Sequence, residues 1–151
     1  TNYDLTLKIA QIISGPHLDK DMITHAMEKN YAGIIFAGTG LGHLPIHDPT
    51  GDTPENLELA EEIRKYISNG GIAIMTTQCN SGVTNMNVYS KGRDQQKIGI
   101  IGQQTTNTTE TASVKLLWML SNTPSDENKF EWIKENWNKN LAGENHLSLK
   151  D

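Results

Sequence analysis

Four groups of residues have types and spacings that could do chemistry. The first is Gly38-Thr39-Gly40-Leu41-Gly42-His43, directly after a continuous apolar run. Its glycines permit positive φ and close backbone approach, and free N–H groups there can hold a carboxylate or another anion. The G-x-G-x-G spacing is not a dinucleotide fingerprint, because the next helix signal, Thr53-Pro54, comes more than ten residues later. No Gly-Lys-Ser/Thr follows, so it is not a phosphate loop either. The plain alternative is a tight loop packed on a neighbour.

The second group is Met75-Thr76-Thr77-Gln78-Cys79-Asn80-Ser81-Gly82-Val83. Cys79 as a nucleophile needs a lowered pKa and a nearby base. His43, on another loop, is the candidate base, yet a lone Cys is more often a small buried hydrophobe. The third is Tyr89-Ser90-Lys91-Gly92-Arg93-Asp94, where Arg93 could grip a carboxylate with two parallel hydrogen bonds or pair with Asp94 in a surface turn. The fourth is Thr109-Glu110-Thr111, a carboxylate in a first helical turn, where a cap suffices to explain it. His17, His25, His43, His47 and His146 lack metal-ligand spacing, so no metal is expected beyond adventitious binding near Asp48 and Asp52. Trp118, Trp132 and Trp137 fall in helical patterns and read as packing or interface residues rather than a base-stacking platform.

The elements that must position these groups alternate. Residues 5–13 read as a strand, and 17–30 as a helix with Leu18, Met22, Ile23, Ala26 and Met27 on one face, Asp19 as N-cap and Asn30 at its end. Residues 33–37 form a continuous apolar run that suits a strand buried on both faces. A helix starts at Thr53-Pro54, carries Leu57, Ala60, Ile63, Tyr66 and Ile67, and stops at Asn69-Gly70-Gly71. Residues 72–75 are a further buried strand, 76–94 a long polar stretch, and 95–101 a fourth strand ending in Ile-Gly-Ile-Ile. A helix over 110–120 presents Ala112, Leu116, Leu117 and Leu120. Ser125 caps a last helix with Phe130, Trp132, Ile133 and Trp137, and the tail from Asn140 frays. This order predicts an α/β fold, a small doubly wound parallel sheet of about four strands with helices on both faces. Ligands then meet loops at the carboxyl ends of strands, here 14–17, 38–48 and 76–94.

With 151 residues, a net charge of -5, 36% hydrophobic and 21% charged residues, the sequence suits one folded domain over 1–151. The longest apolar run, 32–37, is far short of a membrane span. The acidic balance argues against direct nucleic-acid contact, which needs clustered Lys and Arg. Cys79 is the single cysteine, so no internal disulfide can form, and a reducing, cytoplasmic setting is expected. The opening residues do not read as a signal peptide, and Thr1 is not an initiator.

Several segments, in order and spacing, resemble the C-terminal domain of asparaginase-like amidohydrolases. They are Ala-Gly-Ile-Ile-Phe-Ala-Gly-Thr-Gly-Leu-Gly-His over 32–43, Ile-Ala-Ile-Met-Thr-Thr-Gln-Cys-Asn-Ser-Gly over 72–82, Val-Tyr-Ser-Lys-Gly-Arg from Val88, Glu-Thr-Ala-Ser-Val-Lys-Leu from Glu110, and Asn-Leu-Ala-Gly-Glu over 140–144. The resemblance covers roughly 8–144 and is greatest to the asparaginase-like subunit of archaeal-type glutamyl-tRNA(Gln) amidotransferases. It implies a domain that packs against the amidohydrolase N-terminal domain of a neighbouring copy. In such proteins that N-terminal domain carries a threonine nucleophile, in Thr-Gly-Gly-Thr-type and His-Gly-Thr-Asp-Thr-type motifs. Neither motif occurs in this sequence, so the resemblance implies that the N-terminal catalytic domain is absent, that no catalytic residue lies in the chain, and that the chain alone is inactive.

Carried over position by position, Gly40, Gly42 and His43 would border the neighbour's substrate pocket, and Thr77, Gln78, Arg93 and Glu110 would brace the loops. His43 stands where related asparaginases carry Asn, and His47, Pro49 and Gly51 are unlike the usual segment. The implied function is release of ammonia from Gln or Asn for conversion of Glu-tRNA(Gln) to Gln-tRNA(Gln) by a homodimeric subunit. A tRNA-binding kinase/transamidase partner subunit uses ATP and Mg, and this domain binds no cofactor. The alternatives are the C-terminal domain of a free L-asparaginase, a stand-alone amino-acid or anion-binding module, and a Cys79 hydrolase. The module reading rests on the glycine loop alone, and equilibrium dialysis against amino acids separates it from the others. Apolar surface left by a missing domain would promote self-association.

Overall fold

A computed structural model describes residues 2–79 and 82–145. Asn80 and Ser81 of the Thr-Gln-Cys turn, His146 and Thr1 lie outside the described residues. The elements run β1 (Ile9–Ile13), α1 (Lys20–Glu28), β2 (Gly33–Gly38), α2 (Pro54–Ser68), β3 (Ile72–Thr77), α3 (Ser90–Lys97), α4 (Thr109–Asn122) and α5 (Lys129–Asn136). The strands pair in parallel in the order β1-β2-β3, with Ile9 opposite Gly33 and Gly33 opposite Ile72.

β2 and β3 are buried at every position. Their apolar runs do not alternate with polar residues because helices cover both faces. Ile34, Phe36, Ala73 and Met75 join Ile23 and Ala26 of α1 and Leu59, Ile63 and Tyr66 of α2 in one cluster. Ile35, Ile72 and Ile74 face the other way and pack with Ala112, Leu116 and Met119 of α4 and Ile133 and Trp137 of α5. Tyr66 also donates to the Tyr31 carbonyl at 2.7 Å, which fixes α2 to the turn before β2. The doubly wound parallel architecture is therefore as the alternation predicts. Among the described residues no helix is long and apolar enough to cross a membrane.

The differences have local causes. The fourth strand shrinks to one bridge, Ile74 with Ile101, made by Met75 N to Ile101 O at 2.7 Å and Ile101 N to Ala73 O at 2.9 Å. Gly99 and Gly102, at φ 104° and 126°, turn the chain on either side of it. The described sheet thus has three strands. β1 begins at Ile9, not Leu5, because the Leu7 N–H turns back to Asp4 and leaves Leu5 82% exposed.

Residues 90–97, expected as the end of the polar stretch and the start of the fourth strand, are helix α3. It buries Gly92 and Gln95 rather than an apolar stripe, and a Cβ at Gly92 would collide with the Met86 backbone. In α2 the inward residue is Leu59, whereas Leu57 is 53% exposed. In α4 Met119 is buried, and Leu117 and Leu120 are half-buried. Asn128, not Ser125, caps α5, by accepting from Glu131 N at 3.0 Å. The frayed tail expected from Asn140 is instead tied down as far as Asn145, as described below.

Candidate functional site

Three loops converge at the carboxyl ends of the strands. Gln78, just past β3, joins them: its main-chain N–H donates to Gly38 O at 2.9 Å, and its Nε2 donates to Ser14 O at 2.9 Å and Ala37 O at 2.8 Å. Thr77 Oγ1 donates to Gly40 O at 2.5 Å and accepts from Cys79 N at 3.1 Å. These two side chains clamp the glycine loop to the end of β3.

The glycine loop is a tight reversal closed by Thr39 N to His43 O at 3.1 Å and His43 N to Thr39 O at 3.0 Å. Gly40 and Gly42 both have positive φ, 51° and 96°. Gly42 is also close-packed, since a Cβ there would lie 2.9 Å from Met75 Cγ. The N–H groups of Gly42 and His43 are used within the reversal, so this loop is not a row of free anion-binding amides.

His43 is held from both sides. The buried Gln95 amide accepts from Leu44 N at 2.7 Å and donates to Gly42 O at 2.8 Å. The imidazole meets the Tyr89 ring edge-on, with centroids 5.4 Å apart. Its Nε2 is buried with no partner among the described residues. Burial, reinforced by the Lys91 charge, pushes the His43 pKa below its ordinary value. A neutral imidazole follows at neutral pH.

Beside this loop a cleft of about 460 Å³ opens between the strand ends and the start of α4. Ile13, Ala37, Thr77, Cys79, Asn107 and Glu110 are among its walls. The Thr108 side chain caps α4 by accepting from Thr111 N at 3.2 Å, and Thr109 Oγ1 meets Thr76 Oγ1 at 2.9 Å. Glu110 is exposed at the rim. Asn107 is buried and donates through Nδ2 to Glu144 O and Asn145 Oδ1, at 2.9 and 2.7 Å, while its Oδ1 has no partner among the described residues.

Gly40, Gly42, His43, Thr77 and Gln78 are thus brought together, and Glu110 faces the adjoining cleft. Arg93 stands apart on the exposed side of α3, where Nη1 donates to Asn87 O at 3.0 Å. Asp94 does not pair with it. Its carboxylate takes Lys97 at 3.1 Å and His47 at 2.8 Å, and these two hydrogen bonds hold its pKa below the usual carboxylate range. Cys79 is exposed with Sγ turned toward Gly40 O at 3.9 Å, whereas His43 is engaged with Tyr89. Asp48 accepts from Thr53 N and Oγ1 and so fixes the residue that precedes α2.

The sequence reading did not single out Gln95 or Asn107, and it named Tyr89 only as the first residue of the third group. Reading 90–97 as a helix would have put Gly92 and Gln95 on its inner face; nothing local marks Asn107.

The family model described as the glutaminase/asparaginase C-terminal domain matches residues 8–132. A glutamyl-tRNA(Gln) amidotransferase subunit from Methanococcus maripaludis strain C6 is 38% identical over 148 residues, 98% of this chain and 31% of that protein. The same subunit from Sulfolobus acidocaldarius is 38% identical over 129 residues, 85% of this chain and 25% of its own length. In solved structures, the thermostable L-asparaginase from Thermococcus kodakarensis superimposes with a TM-score of 0.74 at 26% identity, over 93% of this chain and 38% of that one. This chain spans 31% of the length of the Methanococcus relative. A parallel sheet whose strand-end loops meet at Gln78, matched by that family model from Lys8 to Trp132, makes the chain a member of the glutaminase/asparaginase C-terminal domain family.

Proposed function

We propose that this chain is the C-terminal domain of the ammonia-releasing subunit of a glutamyl-tRNA(Gln) amidotransferase. The observation that carries this is chain-long likeness: 148 of the 151 residues align with an amidotransferase relative. In this reading the amide-cleaving threonine belongs to an N-terminal amidohydrolase domain outside this chain, and the domain is inactive alone. The glycine loop, with neutral His43 held by Gln95 and Tyr89, borders the active site of a neighbouring copy in a homodimer. Thr77 and Gln78 fix that loop, while Arg93 and Glu110 belong to its surroundings. The domain takes no cofactor; ATP and Mg serve a tRNA-binding kinase/transamidase partner. A protein serving tRNA charging works in the cytoplasm.

The test is ammonia release from Gln and Asn. The purified chain should release none. Co-expression with the remaining, N-terminal part of the Methanococcus maripaludis relative should restore it. Release by the chain alone would overturn the proposal.

A second reading, the C-terminal domain of a free L-asparaginase, draws support from the fold likeness to L-asparaginases. Restored activity that favours Asn and ignores Glu-tRNA(Gln) would select it.

A further inference from the structure

The imidazole of His43 can take a second proton only at a buried atom. Its Nε2 is enclosed, with no partner among the described residues. The neutral ring accommodates this by carrying its proton on Nδ1 and keeping a bare lone pair at Nε2. Protonation would turn Nε2 into a buried, charged N–H with no acceptor, which is among the costliest states of a polar group.

The surroundings offer no relief in place. The charge that acts on the ring is the Lys91 ammonium, which has the same sign as an imidazolium. The other ionisable groups on the elements around the loop are engaged elsewhere. On α3, Asp94 takes Lys97 and His47, and Arg93 donates to Asn87 O. Past β3, Cys79 turns its Sγ toward Gly40 O. Tyr89 presents its ring to the imidazole, with centroids 5.4 Å apart.

The backbone is not free to adjust. Gln95 accepts from Leu44 N and donates to Gly42 O, so both neighbours of His43 are pinned to α3. His43 N donates to Thr39 O, and His43 O accepts from Thr39 N. The freedom left is rotation of the side chain from one staggered position to another.

We propose that His43 is a proton-driven switch: uncharged, it packs against Tyr89; charged, it swings out into solvent while residues 42–44 stay in place. The consequence rests on the reading given above, in which the glycine loop borders the active site of a neighbouring copy. Acid then adds a cation to that border, and neutral conditions withdraw it.

The experiment is nuclear magnetic resonance of the purified chain from about pH 8 to pH 5, the range in which histidines change charge. At the upper end the His43 and Tyr89 rings should show a nuclear Overhauser contact. On acidification that contact should disappear, and the Tyr89 ring resonances should shift with the same midpoint as His43. The Gly42 and Leu44 amides should stay protected from hydrogen exchange throughout. Lys91→Met should raise the midpoint, His47→Asn should leave it unchanged, and His43→Asn should abolish the Tyr89 shift. A ring contact that persists once His43 is charged, Tyr89 resonances that still titrate in His43→Asn, or a midpoint unmoved by Lys91→Met would overturn the proposal. The readout needs no ammonia release, so its failure is distinct from failure of the amidotransferase reading, which the co-expression test decides.

Discussion

Lys115 and Glu144 meet at 2.8 Å with only 2% and 11% of their side chains exposed. They come from two segments singled out by sequence, the α4 helix and the closing Asn-Leu-Ala-Gly-Glu stretch, with nothing in either to announce the pairing. Lys115 Nζ also donates to Lys139 O at 2.7 Å and lies 5.4 Å from the Trp137 ring centroid. Glu144 accepts from the N–H groups of Leu141 and Ala142. The pair fastens residues 139–144 to α4, and the Glu144 carbonyl in turn accepts from Asn107 in the wall of the cleft.

Lys115→Met should therefore destabilise the fold by roughly 3–5 kcal/mol, because it leaves a buried carboxylate without its cation. Urea denaturation measures it. Adding Glu144→Gln should recover part of the loss, giving a coupling of about 1–3 kcal/mol in a double-mutant cycle. Additive costs would show that the two charges do not act as a pair.

Acid should release the same strap. Burial alone would raise the Glu144 pKa, but the Lys115 ammonium and the Leu141 and Ala142 amides overcome it and bring it down to about 2. With the folded pKa below the unfolded one, the contribution is complete above pH 4.5 and is lost as pH falls from there through about 2. Stability measured against pH should fall across that window in the wild type and less in Glu144→Gln.

His43 should give a second, separate slope. Its folded pKa lies below 6.5, so as pH falls below 6.5 the unfolded chain binds the proton first and the folded state loses stability. Nuclear magnetic resonance titration should find its midpoint below 6.5, and His43→Asn should remove the slope while leaving the fold intact.

The two glycines of the loop should behave differently. Gly40 has open space around it, so Gly40→Ala meets only the positive φ, at about 1 kcal/mol. Gly42→Ala adds a clash with Met75 and Thr84 and should cost about 2–4 kcal/mol. Thermal melts of the two variants decide it; equal losses would mean that Gly42 is not close-packed.

The buried strands were legible because Ile34, Ile35 and Phe36 in a row leave no solvent face. Asp19 and Thr53-Pro54 marked helix starts for the same local reason, a side chain or ring suited to the first turn. What sequence concealed was long-range polar pairing. Helix α3 buries an amide where an apolar stripe would have announced it, and Gln95 serves residues more than fifty positions earlier. Among the site residues, the bracing role of Thr77 and Gln78 came from the family resemblance rather than from spacing; their hydrogen bonds to Gly40, Ser14 and Ala37 arise at the end of β3. Arg93, singled out by a motif, donates through its side chain to Asn87 O on the exposed side of α3.

The Gln95 amide does for residues 42–44 what a neighbouring peptide does for a strand: it receives one N–H and returns one to a carbonyl. A carboxylate there could receive but not return, and would set its charge against Gly42 O. Position 95 thus writes part of the geometry of a loop in which it does not lie. Changes in the two segments should be tolerated in compensating pairs, so the loop and α3 form one heritable unit rather than two.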